Sequence, residues 1–148
     1  MLPLGHIGIT VFLASLLHIP TIPVLVGSIA PDIVDKILFI FKIAPCGRFF
    51  AHSVFFGPIL AVITMIVTHR KSTGIAVLFG CYMHLLEDVR QFLPWFFPLV
   101  QYTFYCPPFL ILRPDLIDMI FESIGALSIP IVFALKPKLK FKVLKWKV

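Results

Sequence analysis

One stretch, Gly80-Cys81-Tyr82-Met83-His84-Leu85-Leu86-Glu87-Asp88, constrains this chain more than any other: an apolar helical segment that ends in a histidine and two acids. His84 and Asp88 stand at i and i+4, so on a helix both project from one face. Ionisable groups in an apolar, membrane-like setting cost roughly 2.5–3.5 kcal/mol each. Something must offset that cost, and an imidazole beside a carboxylate suits a divalent cation.

The rest of the chain sets that stretch in a lipid context. Of the 148 residues, 59% are hydrophobic and 14% charged, which excludes an ordinary soluble domain and predicts an integral membrane protein. The net charge of +6 is local: Lys136, Lys138, Lys140, Lys142, Lys145 and Lys147 crowd the C-terminal tail, and without them seven basic residues face seven acids. The basic excess is therefore a juxtamembrane feature, read as orientation or contact with anionic lipid, and no nucleic-acid partner is expected. Cys46, Cys81 and Cys106 form no CxxC pair and are read as small apolar residues. The first apolar run lacks a basic leader and is expected to remain in the mature protein.

The segmentation predicts an all-α protein. Residues 7–17 and 22–30, broken by His18-Ile19-Pro20 and Pro31-Asp32, are shorter than the roughly 20 residues a spanning helix needs and read as a hairpin or re-entrant pair. His52 to Thr68 reads as a spanning helix, residues 69–74 as a polar turn, and Ile75 to Leu86 as its antiparallel partner. From Phe92 to Pro108 prolines and aromatics exclude a regular helix and suit the membrane interface. Leu116 to Leu135 is long enough to span. The expected architecture is an all-α membrane domain over residues 1–135, with about four or five helices around a polar metal-binding pocket near one interface, followed by the 136–148 lysine-rich tail.

Alternating the helices across the bilayer places His6, Asp32, Asp35, His52, His84, Asp88, Asp118 and Glu122 at one depth. With Arg70, Lys71 and the tail cytoplasmic, this polar end faces outward. So many carboxylates together need a cation, and histidines among them suit zinc, or manganese. A catalytic zinc keeps three protein ligands and an open position, so this many candidates allow one ion or two.

In order, His6, then Pro31-Asp32-Ile33-Val34-Asp35-Lys36, then Arg48-Phe49-Phe50-Ala51-His52-Ser53, then His84-Leu85-Leu86-Glu87-Asp88, the chain resembles the YdjM-like family of membrane-bound metal-dependent hydrolases. That family's pattern runs as an early His, a PD-x-D or PD-x-x-D element, HRG-x-THS and H-x-x-x-D; Pro94-Trp95-Phe96-Phe97-Pro98 is similar to a further feature after it. The likeness covers residues 1–125. The HRG-x-THS element departs: Gly47, Phe49 and Ala51 stand where the family has His, Gly and Thr, while Arg48, His52 and Ser53 remain. The resemblance implies helical His/Asp sites similar to those of zinc-dependent phospholipase C.

The residues then take expected roles. His6, Asp32, His52, His84 and Asp88 are the candidate metal ligands. Asp35, Asp118 or Glu122 would move a proton or orient a histidine, and Arg48 or Arg90 would receive a phosphate or neutralise acids. Glu87 turns about 100° away from Asp88 and is the weaker ligand candidate. Ser53 lacks the G-x-S-x-G setting of a serine nucleophile. The expected activity is hydrolysis of a phosphoester or lipid-like substrate by a metal-activated water, in the cell membrane. The alternatives are a non-catalytic module with a structural metal and a metal or proton transporter. The transporter is disfavoured because the middles of 54–67 and 119–135 are nearly free of polar residues.

Overall fold

The turns, more than the helices, decide how this chain doubles back. His18, Lys42 and His69 adopt positive φ angles of 57°, 58° and 54°, and each of them closes a helical segment with a left-handed residue. In the computed structural model, which describes residues 3–104 and 115–135, five helices result: α1 Pro3–Leu16, α2 Thr21–Ile40, α3 Phe56–Thr68, α4 Lys71–Glu87 and α5 Leu116–Leu135. A 3-10 turn, Phe50–His52, precedes α3, and there is no strand among the described residues. The all-α expectation and the helix number hold.

Two boundaries differ from the sequence reading. Pro31 does not end the second segment: α2 continues through it to Ile40, with Pro31 buried inside the helix. A proline removes one bond of the helical ladder, but here the packing of α2 on α4 carries the helix past it. As a result Asp32 and Asp35 sit at i and i+3 on a helix rather than in a loop. The expected span from His52 to Thr68 is also broken, because His52 belongs to the 3-10 turn and α3 starts four residues later.

These boundaries leave the helices short. α1, α3 and α4 have 14, 13 and 17 residues, and α2 carries Asp32, Asp35 and Lys36 in its second half. Among the described residues no helix is long and apolar enough to cross a membrane, which corrects the expectation of spanning helices over 52–68 and 116–135. The lysine tail lies outside the described residues.

The helices nonetheless pack as close-contact pairs, α2 on α4, α1 on α5 and α3 on α4. Glycine permits this approach. A Cβ on Gly80 of α4 would lie 2.2 Å from the Val24 carbonyl oxygen of α2, and one on Gly8 of α1 would lie 1.9 Å from that of Gly125 of α5. Small residues at crossings are how helices associate without a hydrophobic driving force between them. The cores are correspondingly small, built on Ala14, Val24 and Ala76 and on Ala51, Phe56, Val77 and Cys81. Large apolar side chains such as Ile22, Ile66, Val67 and Leu127 instead point outward, each with more than 60% of its surface exposed. Apolar side chains this exposed suit contact with lipid or another apolar surface.

One cysteine departs from expectation. Cys46 is disulfide-bonded, while Cys81 is a buried free thiol.

Candidate metal centre

Four parts of the chain meet at one end of the bundle: the start of α1, the second half of α2, the 3-10 turn and the end of α4. The organising group is the Asp35 carboxylate on α2, which is fully buried. Its Oδ2 accepts from the backbone N–H of Phe49 (2.6 Å) and His52 (3.2 Å), and its Oδ1 from that of Ala51 (2.9 Å). The turn is thus folded around one carboxylate. The same Oδ2 lies 2.7 Å from His52 Nδ1. A carboxylate there only accepts, so Nδ1 carries the proton and donates, and the Nε2 lone pair of His52 faces the other way.

What Nε2 faces is His84 Nε2 at 3.3 Å and Asp32 Oδ1 at 3.4 Å; the third side of the triangle, His84 Nε2 to Asp32 Oδ1, is 3.8 Å. The circle through these three atoms has a radius of about 2.0 Å, the distance at which zinc is held by imidazole nitrogen and carboxylate oxygen. The His52 and His84 rings meet at 66°, so their in-plane lone pairs approach from different directions. His84 is 1% exposed, and its Nδ1 has no hydrogen-bond partner. Asp32, His52 and His84 could together hold a metal ion, and the donor set, the triangle and the burial all fit one.

The electrostatics point the same way. Burial works against a charged His52, but the Asp32 and Asp35 carboxylates outweigh it and raise the pKa of its imidazole above the ordinary value. His84 goes the other way: burial, with the neighbouring His6 and His52, pushes its imidazole down to about 4, which keeps it neutral with a lone pair to offer. Lys36 Nζ, 2.7 Å from Asp32 Oδ2, occupies the carboxylate oxygen that turns away from the triangle.

A second group, His6, His84 and Asp88, lies beside the first and shares His84. His6 Nε2 is 3.3 Å from Asp88 Oδ1, while Arg48 Nε and Nη2 donate to Asp88 Oδ2 at 3.0 and 2.8 Å. Burial would raise the Asp88 carboxyl, but His6 and the Arg48 guanidinium hold it well below the usual range. The His6 and His84 rings are stacked, with centroids 4.4 Å apart and planes at 26°. Lone pairs lie in the ring plane, so stacked rings present them side by side rather than converging on one ion. This group is therefore the poorer match to a metal, and His6 acts as a platform beneath His84.

Glu87 and Thr10 complete that platform. His6 Nδ1 donates to Glu87 Oε2 at 2.7 Å, and Thr10 Oγ1 donates to Glu87 Oε1 at 2.9 Å. Helical phase alone disfavours Glu87, which turns about 100° away from Asp88, and gives no role to Thr10. Two signals were available: Glu87 is an acid in an apolar helix that needs a partner, and Thr10 stands at i+4 from His6 on one face.

The structure brings His6, Asp32, Asp35, Arg48, His52, His84 and Asp88 together at this end. Asp118 and Glu122 are not part of the triangle. Glu122 accepts from the backbone N–H of Leu4 and Gly5 at 3.0 and 2.8 Å, so it caps the start of α1 from α5. The Asp118 amide is bonded to the Asp115 carboxylate, which that amide and Arg90 hold below its ordinary pKa. Arg90 reaches Asp115 at 2.9 Å and joins the end of α4 to the start of α5.

A family model, described as YdjM inner membrane protein, matches residues 1–143, and the chain belongs to that family. No curated protein and no solved structure matches it.

Proposed function

We propose that this member of the YdjM inner membrane protein family is a membrane-embedded, metal-dependent hydrolase acting on a phosphoester of a lipid or lipid-like substrate. The observation that carries the reading is the Asp32, His52 and His84 triangle, whose three donor atoms lie at the spacing of a zinc coordination sphere. A divalent ion held by these residues, zinc in preference to manganese, would supply Lewis acidity and a water acidified towards neutral pH.

The remaining roles follow from where the side chains sit. Asp35 fixes the His52 tautomer and holds the 49–52 turn in register. His6, itself oriented by Glu87 and Thr10, supports His84. Arg48 is fixed on Asp88 with a third of its side chain exposed, a cation at the rim of the centre suited to a phosphoryl oxygen. Three protein ligands match the number a catalytic zinc site uses, since such a site keeps a further position for substrate or water. The outward-facing apolar side chains and the glycine-mediated crossings suit short helices embedded in lipid, from which a lipid substrate would reach the site sideways.

Elemental analysis of detergent-purified protein tests this. The wild type should carry about one zinc or manganese per chain, and His52→Ala and His84→Ala at equal folded yield should lose it; phosphomonoesters, phosphodiesters and phospholipids are then assayed with wild type and variants. A wild type that purifies metal-free and takes up none on titration overturns the reading.

A further inference from the structure

α2 has two faces, and the metal centre meets the border between them. Val24, Gly27, Ser28, Pro31 and Asp35 are buried on one face. On the other, Leu25, Ile29 and Ile33 form one i, i+4 ridge, and Val26, Ala30 and Val34 form the next. The furrow between the ridges has a volume of about 360 Å³ and is lined by these six apolar side chains. It is open to the surroundings, since Val26 and Ile33 are 52% and 51% exposed. From Leu25 to Val34 it runs about 14 Å along the helix.

The furrow ends at the metal centre. Asp32 follows Ile29 by three residues and Lys36 follows Ile33 by three, so both flank the end of the first ridge. Within the triangle Asp32 is the residue that reaches the surface: 28% of its side chain is exposed, against 0% for His52 and 1% for His84. The open edge of the triangle therefore lies on α2. Lys36 Nζ spends one of its three donors on Asp32 Oδ2, and its side chain is 46% exposed. An apolar track thus leads to an ammonium beside a carboxylate–imidazole site, which is complementary to a hydrocarbon chain with an anionic head.

We propose that the α2 furrow holds one hydrocarbon chain of the substrate, with its phosphate at Lys36 and the metal-binding triangle. This rests on the hydrolase reading and deepens it: the substrate is a phosphoester carried on a long apolar chain, and Lys36 is a residue that recognises its head. A second copy of this chain fits less well. A helix laid along both ridges would also cover the Asp32 and Lys36 pair and strip water from it, whereas a phosphate keeps the ammonium beside an anion.

The test uses the full chain in lipid nanodiscs and a dodecyl phosphate whose terminal carbon carries a diazirine, with photolysis and peptide mass mapping. Labelling is expected on α2 at Leu25, Val26 or Ile29, the end of the furrow away from the centre. Excess dodecyl phosphate should suppress it and dodecanol should not. Ile29→Trp, which fills the furrow from outside the triangle, should abolish labelling at unchanged metal content. Lys36→Met should weaken it about tenfold, as for loss of a hydrogen bond to a charged group.

Labelling confined to other elements, or suppressed equally by dodecanol, overturns the proposal and leaves the furrow as ordinary lipid-facing surface. A dimer by light scattering that becomes a monomer in Ile29→Trp overturns it in favour of a second copy. Metal content is read on the same samples. Metal-loaded protein labelled elsewhere sinks this inference alone, and metal-free protein labelled on α2 sinks the hydrolase reading while the furrow stands as a site for a phosphorylated chain.

Discussion

His52 and Asp35 form a pair with no solvent exposure on either side chain, Nδ1 lying 2.7 Å from Oδ2. The carboxylate holds the imidazole and three backbone amides at once, so it serves both the fold and the metal centre. Asp35→Asn cannot replace it, because the amide nitrogen brings donors to a point where four donors already converge. The expected cost is on the order of 3–5 kcal/mol in stability, as for removal of one buried charged partner, with metal affinity reduced about 10–100-fold. Unfolding in detergent and metal titration measure the two separately. Unchanged metal affinity in folded Asp35→Asn would remove Asp35 from the centre.

The two candidate groups make opposite forecasts for His6. If the ion sits in the triangle, His52→Ala and Asp32→Asn lose it, whereas His6→Ala retains most of it, because the His6 nitrogens face Glu87 and Asp88. Metal content by mass spectrometry of the eluted ion decides this. Equal loss in His6→Ala and His52→Ala would shift the ion to the His6, His84 and Asp88 group.

Much of this site was legible in the residue order alone. His84 and Asp88 on one helical face, Asp32 and Asp35 close together, and His52 at the start of an apolar run all led to one end of the bundle. Distance in the chain hid the rest. Glu122 looked like a proton carrier because its depth matched the cluster, but depth does not reveal that two α1 amides lie within its reach. Helical phase turns Glu87 away from Asp88, yet α1 packs on that side and supplies His6 and Thr10. Pro31 signalled a stop that burial against α4 overrode, and the odd number of cysteines concealed a disulfide at Cys46.

The crossing of α2 and α4 sets the separation of the ligands, since Asp32 rides on one helix and His84 on the other. A methyl group on Gly80 would meet the Val24 carbonyl oxygen at 2.2 Å, and the neighbour is backbone that cannot rotate away. Gly80→Ala should therefore push the helices apart, costing about 1–3 kcal/mol and weakening metal binding. Gly47→Ala has nothing within 4 Å of the added carbon and should be near neutral. Thermal unfolding in detergent with parallel metal titration compares them. If Gly80→Ala melts like the wild type, the crossing is looser than its geometry implies.

Glu122 offers a separation of structural from chemical roles. Its two oxygens satisfy amide donors at the first turn of α1, where a carboxylate also opposes the positive end of the helix dipole. Glu122→Ala should lower stability by about 0.5–2 kcal/mol, the range for loss of a helix cap. Glu122→Gln, which keeps an oxygen acceptor, should lose less. Neither should change metal stoichiometry, because the triangle is built from α2, the 3-10 turn and α4. The measurement is unfolding in detergent beside metal content and, once a substrate is known, turnover. Loss of turnover in Glu122→Gln at wild-type stability and metal content would return Glu122 to the reaction as a proton carrier.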